Sequence, residues 1–194
     1  MSDRHRRDRP WNADPPQAAA AAAAPDGDRP PERRGGSRPG RWPLLWPWLV
    51  AGGVLLLDQL SKAWALSHLP TGQIAPLLPA LLQLRRVANT GAAFSLFSGN
   101  SSALGLVSAV ASLAVALWLA LRPPRSVWLK LTAALVLAGA LGNGLDRWRL
   151  GYVIDFLELV PIHFPIFNLA DVAINVAVAC VLIDTWAPPG RPRQ

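Results

Sequence analysis

Two aspartates lie in otherwise apolar stretches and could do chemistry together. Asp155 lies in GYVIDF (residues 151–156), and Asp171 ends FNLAD (residues 167–171). A carboxylate at membrane depth is disfavoured by about 2.5–3.5 kcal/mol, so two of them need a reason other than packing. Two carboxyl groups held together in a poorly solvated site keep one proton between them. They then supply an acid and a base, which can hydrolyse a peptide bond without a Ser or Cys nucleophile.

A structural alternative stays open, because each aspartate could simply cap a helix. It applies best to Asp171, which lies near the start of an apolar run of membrane length. The sequence therefore leaves both catalysis and capping as roles for this pair.

A second polar group interrupts the first apolar run at DQLSK (residues 58–62). Asp58 and Lys62 are four residues apart, so on a helix they lie on one face and can neutralise each other. This spacing indicates a structural or substrate-orienting pair, and an ion pathway is the alternative.

Two further motifs combine small residues with side-chain amides or charges. In NTGAAF (residues 89–94), Asn89 and Gly91 would let the backbone approach a ligand closely. In GALGN (residues 139–143), Gly139 is expected to allow tight helix packing. Asn143 and Arg147 are one turn apart and would direct donors toward the outer surface. We interpret Asp146 as a solvated interfacial charge or the partner of a nearby arginine.

Composition indicates an integral membrane protein. The chain has 194 residues, of which 52% are hydrophobic, and a net charge of +7. Nine of its 19 basic residues are arginines in the first 41 positions, which is more typical of a cytoplasmic membrane face than of nucleic-acid binding. The single cysteine has no disulfide partner, and no ligand spacing indicates a metal or another cofactor.

The predicted fold class is an all-α membrane protein with four transmembrane helices. Residues 1–41 are expected to form a disordered cytoplasmic tail, residues 42–187 the membrane domain, and residues 188–194 a short cytoplasmic tail. The helices are predicted at about 42–69, 103–121, 128–145 and 166–186. A small β platform is expected within residues 71–100, and an interfacial flap at residues 152–165.

Basic residues near the helix ends indicate the orientation. The arginine-rich tail, the loop between helices two and three, and the C-terminus carry the cytoplasmic charges, so both termini would be cytoplasmic. The polar residues of helices one, three and four then meet near the extracytoplasmic surface. These helices would surround a pocket that opens outward.

Taken in order, these five blocks closely resemble the lipoprotein signal peptidases of the bacterial signal peptidase II family. The resemblance covers about residues 43–187. It implies a membrane aspartyl endopeptidase that removes the signal peptide from diacylglyceryl-modified prolipoproteins, cutting just before the lipidated cysteine. Its expected location is the bacterial cytoplasmic membrane, its expected contacts are the prolipoprotein and membrane lipids, and no oligomeric partner would be required. Globomycin-type cyclic peptides would inhibit it.

The resemblance also implies roles for individual residues. Asp155 and Asp171 would be the catalytic pair. The residues expected to bind substrate or support the site are Asp58, Lys62, Asn89, Gly91, Gly139, Asn143, Arg147, Asn168 and Ala170.

Two other functions remain alternatives. One is a small ion-coupled carrier that uses Asp58, Lys62 and Asp171 as a proton relay, although the chain has no evident internal repeat. The other is a non-enzymatic assembly or scaffold protein, which should tolerate substitution of both aspartates.

Overall fold

A computed structural model describes residues 42–91, 100–162 and 164–186. The predicted tails at residues 1–41 and 188–194 lie outside these ranges. So do residues 92–94, the second half of the NTGAAF motif.

The described residues form four helices, and each is long and apolar enough to cross a membrane. They are α1 (Trp42–His68), α2 (Ser101–Leu121), α3 (Val127–Leu150) and α4 (Leu169–Trp186). The prediction of four transmembrane helices is confirmed.

Two helix boundaries differ from the prediction. Helix α3 ends at Leu150 rather than Leu145, because Asp146 is buried against protein and does not interrupt the helix. It stops at Gly151, whose φ of 80° gives the left-handed cap that glycine tolerates best. Helix α4 begins at Leu169 rather than Ile166, since Phe167 forms a β-bridge with Leu157.

Helix α3 is the centre of the bundle and packs against α1, α2 and α4. Small side chains on α3 permit the close approach of α4. A Cβ added at Gly139 would lie 2.7 Å from the backbone oxygen of Ala170. The prediction that Gly139 serves tight helix packing is therefore confirmed.

Three strands form an antiparallel sheet in the order β1 (Ile74–Leu78), β2 (Leu82–Asn89) and β3 (Val153–Leu159). Strands β1 and β2 fall in the predicted platform, which is confirmed. The flap predicted at residues 152–165 is wrong for most of its length, because β3 is the third strand of this sheet. The first four residues of β3 are all buried, so the segment lacks the polar alternation that would indicate a strand.

A small apolar cluster fixes the sheet to the end of α1. Ala65 of the helix and Leu69, the residue after its end, pack against Leu84 of β2 and against Ile154 and Phe156 of β3. Since Asp155 lies between the last two of these residues, the same packing determines where its carboxylate lies.

Candidate active site

Asp155 is held on β3 by the neighbouring strand. Val87 of β2 is its paired residue, and Asn89 is two residues further along β2 on the same face of the sheet. Asn89 Nδ2 donates to Asp155 Oδ2 at 2.8 Å. The side chain of Asp155 is buried, since the residue is only 2% exposed.

Asp171 lies in the first turn of α4 and takes part in a reciprocal cap. Its backbone N–H donates to Asn168 Oδ1 at 3.0 Å, and the Asn168 N–H donates to Asp171 Oδ2 at 3.1 Å. This is the capping-box arrangement, in which two free donors at a helix start are satisfied. The capping alternative is therefore present in the structure, but it uses only one carboxylate oxygen.

Asn168 connects the two aspartates. In addition to its contacts with Asp171, it donates from Nδ2 to Asp155 Oδ1 at 2.6 Å. The connection exists because the chain reverses after β3, and Phe167 exchanges backbone hydrogen bonds with Leu157 at 2.9 Å in each direction. Both carboxylates consequently line one cavity.

Asn143 of α3 orients the second carboxylate. Its Oδ1 accepts from Lys62 Nζ at 2.9 Å and from Asn168 Nδ2 at 3.1 Å. Because both contacts need an acceptor, the amide of Asn143 must direct Nδ2 the other way, where it donates to Asp171 Oδ1 at 2.8 Å. The orientation of Asp171 thus depends on Lys62 through one intervening amide.

Lys62 is buried among three acceptors. Its ammonium lies 2.9 Å from Asp58 Oδ2, from Asp146 Oδ2 and from Asn143 Oδ1. The interpretation of Asp146 as a solvated charge or an arginine partner is wrong, since Asp146 is 3% exposed and pairs with Lys62. Two carboxylates share this ammonium, and Gln59 Nε2 donates to both of them.

The same ion cluster ties together the segments that carry the aspartates. Asp58 Oδ1 accepts from the backbone N–H of Ala170 at 2.9 Å, one residue before Asp171. Asp146 Oδ2 accepts from the N–H of Ile154 at 3.3 Å, one residue before Asp155. Each acid of the cluster therefore holds the backbone next to one member of the pair.

The sequence-based list omitted Asp146, Gln59 and Gly142. A Cβ at Gly142 would lie 2.5 Å from Asp58 Oδ2, so the position has no room for a side chain. Asp146 could have been found from spacing, because it follows Asn143 by three residues and so shares its helix face.

Arg147 connects α3 to the segment after β2. Its Nη2 donates to the backbone oxygen of Gly91 at 3.1 Å, and Nη1 donates to the backbone oxygen of Asn143 at 3.4 Å. Gly91 in turn donates its N–H to Asn89 Oδ1 at 3.0 Å. These contacts fix the amide of Asn89, so that its Nδ2 is directed at Asp155.

Burial is the main influence on the protonation of Asp155. Desolvation raises the pKa of its carboxyl to about 6, and the nearby charge of Asp171 acts in the same direction. The hydrogen bonds from Asn89 and Asn168 lower this pKa and oppose part of the rise. Asp155 can consequently exchange a proton near neutral pH.

The cavity has a volume of about 960 Å³, and most of its polar lining lies beside the aspartates. One wall carries Asn89, Gly91, Asn143 and Arg147 beside the two carboxylates. The rest of its lining includes mostly apolar residues from the segment before α4 and from α4 itself: Phe164, Pro165, Ile166, Phe167, Val172, Ile174, Asn175, Val176 and Ala179. Such a cavity suits an apolar ligand that carries one peptide bond to the polar wall.

Comparison with known proteins decides the family. The family model described as signal peptidase (SPase) II matches residues 50–187. The chain belongs to the signal peptidase II family. The lipoprotein signal peptidase of Synechococcus sp. (strain RCC307) is 55% identical over 141 residues, covering 72% of this chain and 93% of the relative. That of Parasynechococcus marenigrum (strain WH8102) is 52% identical, covering 76% of this chain and 91% of the relative.

Solved structures agree with this assignment. A bacterial membrane enzyme structure at 2.3 Å resolution superposes with a TM-score of 0.68 and 27% identity, over 72% of this chain and 87% of the other. A second bacterial membrane enzyme structure, at 1.9 Å resolution, gives a TM-score of 0.67 and 26% identity, over 74% of this chain and 94% of the other.

Signal peptidases II cleave signal peptides from prolipoproteins, so this chain is a multi-pass membrane peptidase. The predictions of the family, of the four-helix membrane fold and of peptidase activity are confirmed. The carrier and scaffold alternatives are not supported as its function. The roles of individual residues stay predictions, as does the absence of a cofactor.

Proposed function

We propose that Asp155 and Asp171 are the catalytic pair of this signal peptidase II. The observation that carries the proposal is the position of Asn168, which contacts both carboxyl groups on the wall of one cavity. Asp155 lies on a strand, so helix capping does not explain its position.

In the proposed reaction one carboxyl group is protonated and the other is ionised. The ionised group takes a proton from a water molecule as its oxygen adds to the carbonyl carbon of the scissile bond. The protonated group donates to the carbonyl oxygen, where negative charge develops. The C–N bond then breaks as a proton passes to the leaving amine, which becomes the new N-terminus at the lipidated cysteine. One water is consumed, and one proton remains on the pair.

The surrounding residues would support this chemistry without taking part in it. Lys62 and Asn143 set the position of Asp171, and Arg147 with Gly91 sets the amide that contacts Asp155. The buried ammonium also places a positive charge near two groups that would otherwise repel each other.

The proposed substrate is a diacylglyceryl-modified prolipoprotein in the bacterial cytoplasmic membrane. Apolar walls suit a lipid-anchored precursor that diffuses laterally into the cavity, while water enters from the outer surface. We place both termini in the cytoplasm, because the α2–α3 connection carries Arg122 and Arg125 at the end of the bundle away from the sheet. One chain supplies all the residues of this site, so no oligomeric partner is needed.

Asp155→Asn and Asp171→Asn test the proposal with little change in shape. Each should reduce cleavage of a purified diacylglyceryl-modified precursor by about 10²–10⁴-fold or more, because acid–base catalysis is lost. Wild-type cleavage should also be inhibited by globomycin. Cleavage is followed by gel shift in detergent, and thermal unfolding shows that each variant is folded.

Matched controls lie on the same two elements. Glu158→Gln changes a carboxylate three residues along from Asp155, and Asp184→Asn changes one near the other end of α4. Both should keep cleavage within a few-fold of wild type. If Asp155→Asn or Asp171→Asn instead cleaves within tenfold of wild type, the catalytic pair is wrongly assigned.

A further inference from the structure

Asn175 is a polar residue of the cavity that the proposed reaction does not use. It lies one turn after Asp171 on α4, is exposed, and lines the cavity. Its neighbours along the helix are apolar, including Ile174 and Val176. At 1.5 Å per residue, Asn175 is about 6 Å further along the helix, toward the middle of the membrane-spanning segment.

The hydrogen bonds of Asn175 leave part of its amide unused. Nδ2 donates to the backbone oxygen of Asp171 at 2.9 Å, which takes one of its two N–H groups. Among the described residues, the second N–H and the carbonyl oxygen Oδ1 have no protein partner. Polar atoms without a partner are disfavoured in an apolar environment, so a ligand that pairs with them is favoured at this point.

The backbone of the bound substrate also has peptide groups without hydrogen-bond partners at this depth. To reach the carboxylates, the peptide before the scissile bond must be extended, so its backbone groups are not satisfied by a helix. At membrane depth each such group needs a partner from the protein. A side-chain amide offers one donor and one acceptor, which matches a peptide group. The diacylglyceryl esters have only acceptors, so they could pair with the N–H of Asn175 but not with its carbonyl oxygen.

We propose that Asn175 is a substrate-binding residue that pairs with a backbone peptide group of the signal peptide, on the N-terminal side of the scissile bond. This inference rests on the proposed function of Asp155 and Asp171. The contact is made with the same peptide group before and during the reaction, so it contributes to binding rather than to the chemical step.

Asn175→Val tests this role, because valine already occurs nearby on α4 and removes only the amide. The variant should raise KM for the diacylglyceryl-modified precursor by about tenfold, equivalent to about 1.4 kcal/mol, and leave kcat within twofold, because a hydrogen bond to the substrate is lost. Val178→Ala is the control, because Val178 is exposed on the same helix but does not line the cavity. It should leave both constants unchanged.

Substrate analogues identify the contacted group. In one series, each of the three peptide links before the scissile bond is replaced in turn by an ester, which removes the N–H. One replacement should raise KM for the wild type by about tenfold and have little effect on Asn175→Val. In a second analogue the two lipid esters are replaced by ethers. This change should alter KM equally for the wild type and for Asn175→Val.

Three results would overturn the inference. The first is an unchanged KM in Asn175→Val, and the second is a loss confined to kcat. The third is that Asn175→Val alters the response to replacement of the lipid esters and not the response to replacement of a peptide link. Failure of the proposed function is recognised separately, because Asp171→Asn would then still cleave the precursor that wild-type protein cleaves.

Discussion

Helices α2 and α3 are neighbours in the bundle, but their side chains have different surroundings. Helix α2 has no charged residue, and its exposed side chains are large and apolar, such as Leu106, Val110 and Leu113. Helix α3 contacts all three other helices and buries Asn143 and Asp146. Both helices are long and apolar enough to cross the membrane.

The difference shows where this protein tolerates polar groups at membrane depth. A polar side chain facing lipid has no partner, whereas one on α3 can reach acceptors and donors on α1, α4 and β3. The ion cluster of Lys62 with Asp58 and Asp146 is possible because α3 is surrounded by protein. Helix α2 can remain a lipid-facing support, and changes on α3 or at its contacts should be far more damaging.

The largest effect on stability is expected from Lys62→Met. The change leaves Asp58 and Asp146 buried without their cation, which costs about 3–5 kcal/mol of unfolding free energy. It also removes a donor to Asn143, so activity should fall through the position of Asp171. Thermal unfolding and cleavage assays measure the two effects.

Lys130→Met, at the chain's other lysine, is the matched control and should change neither property by much. A Lys62→Met protein with the stability and turnover of wild type would show that the cluster does not hold the site.

A smaller change in the free energy of unfolding is expected when the pH is raised. The pKa of Asp155 is about 6 in the folded protein and about 3.9 in an unfolded chain, so folding strengthens proton binding. This stabilisation is fully present below about pH 4 and is lost as the pH rises through 6.

Between pH 4 and pH 7, wild-type protein should therefore lose roughly 2–3 kcal/mol of unfolding free energy relative to Asp155→Asn. Unfolding curves at several pH values measure this difference, with Glu158→Gln as the control on the same strand. A difference that stays constant with pH would contradict the raised pKa.

Gly139→Ala should have the smallest of the three effects, about 1–3 kcal/mol of unfolding free energy, because the new methyl group would press on the backbone of Ala170. Activity should also fall, since that backbone precedes Asp171. Gly52→Ala on α1 is the control, as nothing lies within 4 Å of an added Cβ there. Equal behaviour of the two variants would mean that α3 and α4 are less closely packed than the structure shows.

Much of this fold could be predicted from sequence because its strongest signals are local. Apolar runs of membrane length predict the four helices, and polar residues inside those runs identify Asp58, Lys62 and Asn143 as neighbours of a shared site. The spacing of Asp58 and Lys62 is enough to predict their ion pair, which the structure confirms.

The errors arise where a residue's environment is set by distant parts of the chain. Asp146 is polar and near a helix end, so it resembles a solvated charge until Lys62 is placed beside it. Strand β3 has one face on the core and the other on the cavity, so its sequence lacks the alternation of an exposed strand. The bridging contact of Asn168 depends on the β-bridge between Leu157 and Phe167, which has no sequence signal.

A double-mutant cycle shows whether Asp155 and Asp171 act as one catalytic unit. Single-turnover cleavage of a diacylglyceryl-modified precursor is measured for wild type, Asp155→Asn, Asp171→Asn and the double variant. If the two aspartates act together, both single variants should fall to nearly the same residual rate, and the double variant should be no slower. Losses that add in the double variant, or a single variant that retains substantial cleavage, would contradict it.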